Sequence, residues 1–182
     1  MRIPTSVVWA MPSAWTFSIP PIAEFVWRWT KGAGVIVDPF CGQSKIATHR
    51  NDWGQGGVPA EEFLDGLLGE GLEADAVLFD PPYSPRQISE CYQGLGLKAA
   101  MADTQNAALY SRVRPRLAQL CKPGGIALCF GWQSAGLGKA FGPIEEILLV
   151  QHGGGHNDTI CVAQRHSPQL SLHGGDDDLP TL

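Results

Sequence analysis

Two short apolar runs in this chain end in the same way. Val35-Ile36-Val37 leads into Asp38-Pro39-Phe40-Cys41-Gly42, and Ala76-Val77-Leu78-Phe79 leads into Asp80-Pro81-Pro82-Tyr83. Runs this short, bounded by chain breakers, read as strands buried on both faces, which belong inside a parallel sheet. In open α/β sheets, ligands bind beyond the carboxyl ends of the strands, where the strand order reverses. If the two runs are neighbours at that point, both Asp-Pro motifs face one crevice. One motif could then hold a cofactor and the other a substrate.

The remaining pattern fits such a sheet. Pro21 can open a helix, and Ile22, Phe25, Val26 and Trp29 follow at helical spacing. A short strand is expected within 45–52, and Phe63, Leu64, Leu67 and Leu68 mark a helix over Glu61–Leu68. A longer helix is expected from about Asp103 to Cys121, kinked by Pro115. Ile126–Phe130 reads as a strand. Ile144–His152 and Asp158–Gln164 read as an antiparallel hairpin across Gly153-Gly154-Gly155. Residues 1–14 read as irregular. The expected fold is a Rossmann-like α/β sheet, mostly parallel, with an antiparallel C-terminal hairpin. One domain is expected over residues 1–166, with a disordered acidic tail over 167–182.

Composition limits the function classes. No run of about 18 apolar residues occurs, so no membrane-spanning helix is expected. The N-terminus lacks the pattern of a secretory signal. The five cysteines, at 41, 91, 121, 129 and 161, form no C-x-x-C pair, so no metal site is expected. These features together lead us to expect free thiols and a cytoplasmic protein. The net charge of −5 includes Asp176, Asp177 and Asp178 in the tail. It argues mildly against a nucleic-acid partner, since phosphate neutralisation supplies much of such binding, but leaves room for a local basic cleft.

Asp80-Pro81-Pro82-Tyr83 carries the sharper chemical signal. Its prolines fix the backbone and donate no hydrogen bond, while their carbonyls still accept. The exocyclic amino group of a planar base has two N–H donors. Asp80 and a proline carbonyl could accept both while Tyr83 stacks on the ring, once the base has left its own stack. The plainer alternative is a proline turn ending a strand, with Tyr83 packed.

The motif resembles the catalytic motif of amino-methyltransferases that act on DNA bases. Asp38-Pro39-Phe40-Cys41-Gly42 resembles their cofactor motif, and Thr16-Phe17-Ser18-Ile19-Pro20-Pro21-Ile22 the segment that precedes it. The string Phe79–Tyr92 and the hairpin Gly155-His156-Asn157-Asp158-Thr159-Ile160 are similar to small adenine-specific DNA methyltransferases of phages and mobile elements. The likeness covers about residues 10–165. It implies a class I S-adenosylmethionine-dependent methyltransferase fold and methyl transfer to N6 of adenine in DNA. Asp80 and the Pro81 carbonyl would orient the target amino group, with Pro82 completing the turn and Tyr83 stacking on the base. Asp38, Pro39, Phe40 and Gly42 would line the methionine end of S-adenosylmethionine, and Phe17 would close over it. Asp52 would bind the ribose hydroxyls, and Phe63 or Glu62 would lie near the cofactor adenine. A serine in place of Asp80 would lean toward N4 of cytosine, and an asparagine toward a protein amide. Methylation of N4 of cytosine or of RNA stays open, as does a non-catalytic subunit that binds nucleic acid or a partner.

The chain departs from that pattern in one region. Asp52 follows Asp38 by only 14 positions, too few for a helix and a strand, whereas about 20 are usual between a glycine loop and the ribose acid. Gly42-Gln43-Ser44 stands where G-x-G is common. Helices beside the cofactor cleft are therefore expected to be missing or reduced. That leaves the cofactor exposed, or covered by a second copy or a partner subunit. Arg86 could meet a phosphate or be solvated. His156 and Asn157 could touch DNA or simply form a polar turn. Lys45, His49 and Arg50 read as a solvated edge or a nucleic-acid path. Trp27 and Trp29 read as packing residues, and so does Cys41, since amino-methylation needs no thiol nucleophile.

Overall fold

The computed structural model describes residues 2–82 and 106–167, with side chains omitted for 106–108. Tyr83, Arg86, Cys91 and nearly all of the expected tail lie outside the described residues. Seven strands form one sheet: β1 (Thr5–Trp9), β2 (Ile36–Asp38), β3 (His49–Arg50), β4 (Ala74–Phe79), β5 (Cys121–Gly131), β6 (Ile144–Gln151) and β7 (Thr159–Arg165). Three described helices flank it: α1 (Pro20–Thr30), α2 (Ala60–Gly69) and α3 (Asn106–Leu120).

The spatial order is β1-β6-β7-β5-β4-β2-β3. β1 pairs parallel with β6, and β2 pairs parallel with both β3 and β4; β4 and β5 are also parallel. β7 is antiparallel to both β5 and β6. Strand β7 therefore runs against the other six, as expected of a Rossmann-like sheet ending in an antiparallel hairpin. From β2 the chain moves outward to β3 and then returns to the other side of β2 as β4. Strand order reverses between β2 and β4, and this reversal fixes where a crevice opens.

Burial explains the layers. Ile22, Phe25 and Val26 of α1 are buried with Ala76, Leu78, Leu128 and Cys161 on one face of the sheet. Leu64 and Leu67 of α2, with Val113 and Leu117 of α3, are buried with Val37, Val77 and Phe79 on the other. Period-2 alternation along β4 thus feeds two separate cores. The α2–α3 pair is tied by Arg112–Glu61 and Arg116–Asp65 ion pairs. Arg28 and Trp29 of α1 both donate to Glu146 at the start of β6.

Two expectations need correction. The segment read as irregular contains β1, whose five residues pair with Ile147–Gln151. Val7 and Trp9 remain 57% and 63% exposed, so this edge strand has no apolar face to betray it. Strand β5 begins at Cys121, before the Gly124-Gly125 pair taken as its boundary. There Gly124 adopts a φ of +80°, open to glycine, and the ladder to β4 shifts register between Ala74 and Ala76. Helix α3 carries Pro115 within its length, with that side chain facing solvent.

The link from β2 to β3, residues 39–48, contains no helix. A parallel crossover usually needs a dozen or more residues and a helix to cover the sheet. Here side-chain hydrogen bonds hold the link instead. Thr48 accepts from the Ile36 amide at 2.9 Å and donates to the Ile36 carbonyl at 3.0 Å. No described helix is long and apolar enough to cross a membrane.

Candidate active site

The carboxyl ends of β2 and β4 lie side by side, since Ile36 pairs with Ala76 and Val37 with Val77. Asp38 and the Asp80-Pro81-Pro82 turn are thus brought to adjacent strand tips at the point of reversal. A cavity of about 770 Å³ opens over them. That lies within the range of roughly 300–1,000 Å³ usual for small-molecule sites.

Its walls come from six parts of the chain. The turn before α1 supplies Trp15, Thr16 and Phe17, and the trimmed crossover supplies Pro39, Phe40 and Gly42. The segment after β3 supplies Asp52 and Trp53, and the start of α2 supplies Ala60 and Glu61. Asp80, Pro81 and Pro82 form the end at β4, and Leu109 and Arg112 of α3 complete the wall. Phe17, Pro39, Phe40, Gly42, Asp52, Asp80, Pro81 and Pro82, all singled out from sequence, therefore share one cavity.

Each is held by a definable contact. The Phe17 ring meets Phe130 edge-on with centroids 5.0 Å apart, and Phe40 meets Phe79 at 6.0 Å. Gly42 has a φ of +52°, and a Cβ there would stand 2.9 Å from the Trp15 ring. The indole closes the loop only because glycine leaves that space. Asp52 accepts from the Gly42 amide at 2.9 Å, so one of its oxygens supports the loop while the residue still lines the cavity.

Asp38 lies beneath the cavity floor and is completely buried. One oxygen accepts from the Phe40 amide at 3.0 Å. The other, Oδ2, is buried with no hydrogen-bond partner among the described residues. Burial foremost, with added repulsion from Asp80 and Asp52, pushes its pKa up to about 8. Asp80 is half-buried, and its enclosure raises its pKa to about 7 against the lowering hydrogen bond from the Thr16 side chain. Two carboxyls that are costly to ionise side by side favour a cation as the ligand between them.

Other assignments fare differently. Phe63 does not line the cavity. Helix α2 turns it onto the core shared with Leu64 and Leu67, and presents Ala60 and Glu61 instead. Glu62 is exposed and also lies off the wall. His156 and Asn157 sit on the exposed turn between β6 and β7, at the same edge of the sheet but off the cavity. Lys45 lines the cavity too, and with Arg50 it also lines a second, more polar hollow of about 690 Å³ beside the crossover. Cys41 is half-buried, and burial foremost raises its pKa; Cys129 is pushed up to about 12 by burial. Neither environment makes a thiolate nucleophile.

Sequence reasoning missed Asn51. Its buried side-chain amide donates to the Val58 carbonyl at 2.9 Å and accepts from the Val58 amide at 3.1 Å. Its backbone amide donates to Asp38, and its carbonyl accepts from Cys41. Asn51 thus clasps the cofactor-side loop where a helix would otherwise lie. Thr16, which steadies Asp80, was passed over because a threonine before a helix reads as an ordinary turn residue.

The chain matches no protein-family model and no curated protein. Among solved structures, it is similar to TrmN from Thermus thermophilus at 18% sequence identity and a TM-score of 0.47. The alignment covers 81% of this chain and 49% of TrmN, so the chain spans about half the length of that protein.

Proposed function

We propose that this chain is an S-adenosylmethionine-dependent methyltransferase that modifies the exocyclic amino group of a nucleic-acid base, N6 of adenine in DNA. The observation that carries this reading is the placement of Asp38 and Asp80 on adjacent strand tips under one cavity. When bound, S-adenosylmethionine supplies an electrophilic methyl group on a sulfonium, open to direct displacement by an amine.

The residues suit that cofactor on a feature of their own. It carries an ammonium and a sulfonium, and the buried Asp38 Oδ2 is an acceptor without a partner among the described residues. A cation there lowers the cost of ionising Asp38 and Asp80. Phe17, Phe40 and Trp15 give the cavity apolar walls that exclude water and strengthen this attraction.

Asp80 acts on the substrate side. Its carboxylate accepts one N–H of the target amine, with the Thr16 side chain fixing its rotamer. The Pro81 carbonyl accepts the second N–H, and together they orient the nitrogen lone pair. As nitrogen gains a bond to carbon it must lose a proton. A carboxyl with a pKa near 7 is well matched to take that proton at neutral pH. The rate gain then comes from positioning and from an acceptor placed where positive charge develops. Tyr83 is assigned the stacking role and Arg86 a phosphate contact.

The test is incubation with methyl-labelled cofactor and either DNA or RNA, then digestion to nucleosides and mass spectrometry. Labelled N6-methyladenine from DNA, lost in Asp80→Ala, is expected. Label in N4-methylcytosine or in RNA alone would move the substrate assignment. No label in any polymer would overturn the proposal.

A further inference from the structure

Strand β1 ends the sheet on the side away from the cavity, and its outer edge is open in a specific way. The Pro4 carbonyl accepts from the Ile147 amide at 2.9 Å, and the Ala10 amide donates to the Gln151 carbonyl at 3.0 Å. Even-numbered residues of β1 therefore turn their backbone groups toward β6, and odd-numbered ones turn theirs outward. The amides and carbonyls of Thr5, Val7 and Trp9 take no partner among the described residues. Side chains alternate in the same rhythm. Val8 and Ala10 pack onto the core beneath α1. Ile3, Val7, Trp9 and Met11 stand on the opposite face, 39%, 57%, 63% and 68% exposed.

Sheet edges of this kind are normally blunted by charge, by an outward proline or by a bulge. Strand β1 carries none of these. Its ladder to β6 runs without a register shift. Pro4 is turned inward, where its carbonyl is used and its missing N–H leaves the outer edge intact. No charged residue occurs between Arg2 and Glu24. On β6 the neighbouring acids are already matched, Glu145 with Arg165 and Glu146 with Arg28. A net charge of −5 therefore does not set two copies against each other at this edge.

From this geometry we propose that β1 pairs antiparallel with β1 of a second copy, about a two-fold axis at Val7, so that two sheets become one. The strand is self-complementary in that register. Val7 faces Val7 as a hydrogen-bonded pair, and Thr5 faces Trp9 on either side, so each outward amide and carbonyl of the strand is matched. The same pairing sets Val7 on Val7, Trp9 beside Thr5 and Met11 beside Ile3 on one face. Arg2 of each copy comes to the end of β1 where the other copy's β6–β7 turn holds Asp158, an opposite charge. Taking roughly 150–250 Å² for a large side chain, the exposed fractions of the row come to on the order of 400 Å² in each copy. Specific interfaces take about 800 Å² from each partner, so this one lies at the small end even with its backbone and Ser6 added. The dimer is therefore reversible, with a dissociation constant in the micromolar range.

The pairing goes beyond the methyltransferase reading and does not depend on it. Four strand spacings, roughly 19 Å, separate β1 from β4, so the cavity stays toward the outer end of each half-sheet. A two-fold axis perpendicular to the sheet turns the carboxyl edges of the two copies in opposite directions. The cavities then open away from each other, and neither is covered by the second copy. Each subunit keeps its own complete cavity, and breaking the dimer leaves cofactor binding as it was.

Sedimentation equilibrium of the full chain across micromolar concentrations tests the proposal, with the parent expected to pass from monomer to dimer. Val7→Pro removes an outward N–H while sparing the ladder to β6, and Val7→Lys brings two ammonium groups together on the axis. Both are expected to weaken dimerisation at least about ten-fold, a loss of roughly 1.4 kcal/mol or more, with far-UV circular dichroism unchanged. Val7→Cys supplies a positive readout. Hydrogen-bonded antiparallel partners hold their Cα atoms about 5.5 Å apart, within disulfide reach. Oxidation should therefore link two copies through position 7, located by mass spectrometry. Ser6→Cys, which faces Val8 of the other copy, should give no such link. Should Val7→Pro or Val7→Lys unfold the chain, cross-linking at position 7 decides alone. A monomer at every concentration, a dimer indifferent to both folded variants, or copies that link through position 6 and not position 7 would each overturn the pairing.

Discussion

Asp38→Asn exchanges a buried acid for a neutral side chain of the same shape. Asp38 has no exposed surface, and its pKa is lifted from the ordinary 3.8 to about 8, mainly by burial. Between those values the native state holds a proton that the unfolded chain has released. Stability therefore falls as pH rises from about 4 to about 8 and levels off above. At about 1.4 kcal/mol per tenfold, the full displacement corresponds to a penalty on the order of 5 kcal/mol at pH 8. Asparagine keeps the acceptor for the Phe40 amide but places an N–H₂ at the partnerless Oδ2 position, at a cost of roughly 1–3 kcal/mol. The net expectation is a variant more stable than the parent by roughly 2–4 kcal/mol at pH 8, with the difference crossing zero between about pH 4.5 and pH 6. Urea denaturation followed by tryptophan fluorescence, at pH steps from 4.5 to 8.5 without cofactor, measures the difference. The same variant should fail to bind S-adenosylmethionine, trading function for stability. A parent–variant difference that is flat across this range, or a variant less stable at pH 8, would refute the electrostatic reasoning.

Three more outcomes follow from the same contacts. Cofactor binding near pH 7 should release protons, because a cation lowers the raised pKa values of Asp38 and Asp80; calorimetry in buffers of different ionisation enthalpy should give different observed heats, and equal heats would contradict this. Gly42→Ala should cost about 1–3 kcal/mol of stability from its positive φ and weaken cofactor affinity more than ten-fold by displacing Trp15, as thermal melts and cofactor titration will show. Gln164→Leu should lower stability by roughly 3 kcal/mol or more, since the buried amide accepts from Leu137 and donates to Gly138 and Gly142. That change lies at the far edge of the sheet, so the cofactor affinity of Gln164→Leu should match the parent's.

What could be read from sequence tracks where the physical signal is local. β2 and β4 announced themselves because parallel strands buried on both faces must be continuously apolar, and each then ended at Asp-Pro. The hairpin of β6 and β7 carried its glycine turn, and the absent helix after β2 followed from counting residues between Asp38 and Asp52. β1 gave no comparable signal. Its stability comes from pairing with Ile147–Gln151, far along the chain, and its exposed side chains show no clean alternation of burial. Phe63 was misplaced because the helical periodicity of α2 was clear but its rotation about the sheet was not; the cavity face turned out to begin at Ala60 and Glu61. Asn51 illustrates a further gap, since its worth lies in hydrogen bonds to Val58 and Pro39 that only the folded loops create.

The central claim is that Asp38 and Asp80 flank one cofactor cavity, and a crystal structure with S-adenosylhomocysteine tests it most directly. The expected result is the ligand within the cavity between Phe17 and Phe40, its ammonium hydrogen-bonded to Asp38 Oδ2 and its sulfur facing Asp80. A ligand seated elsewhere, or one that leaves Asp38 Oδ2 buried and partnerless, would contradict the claim.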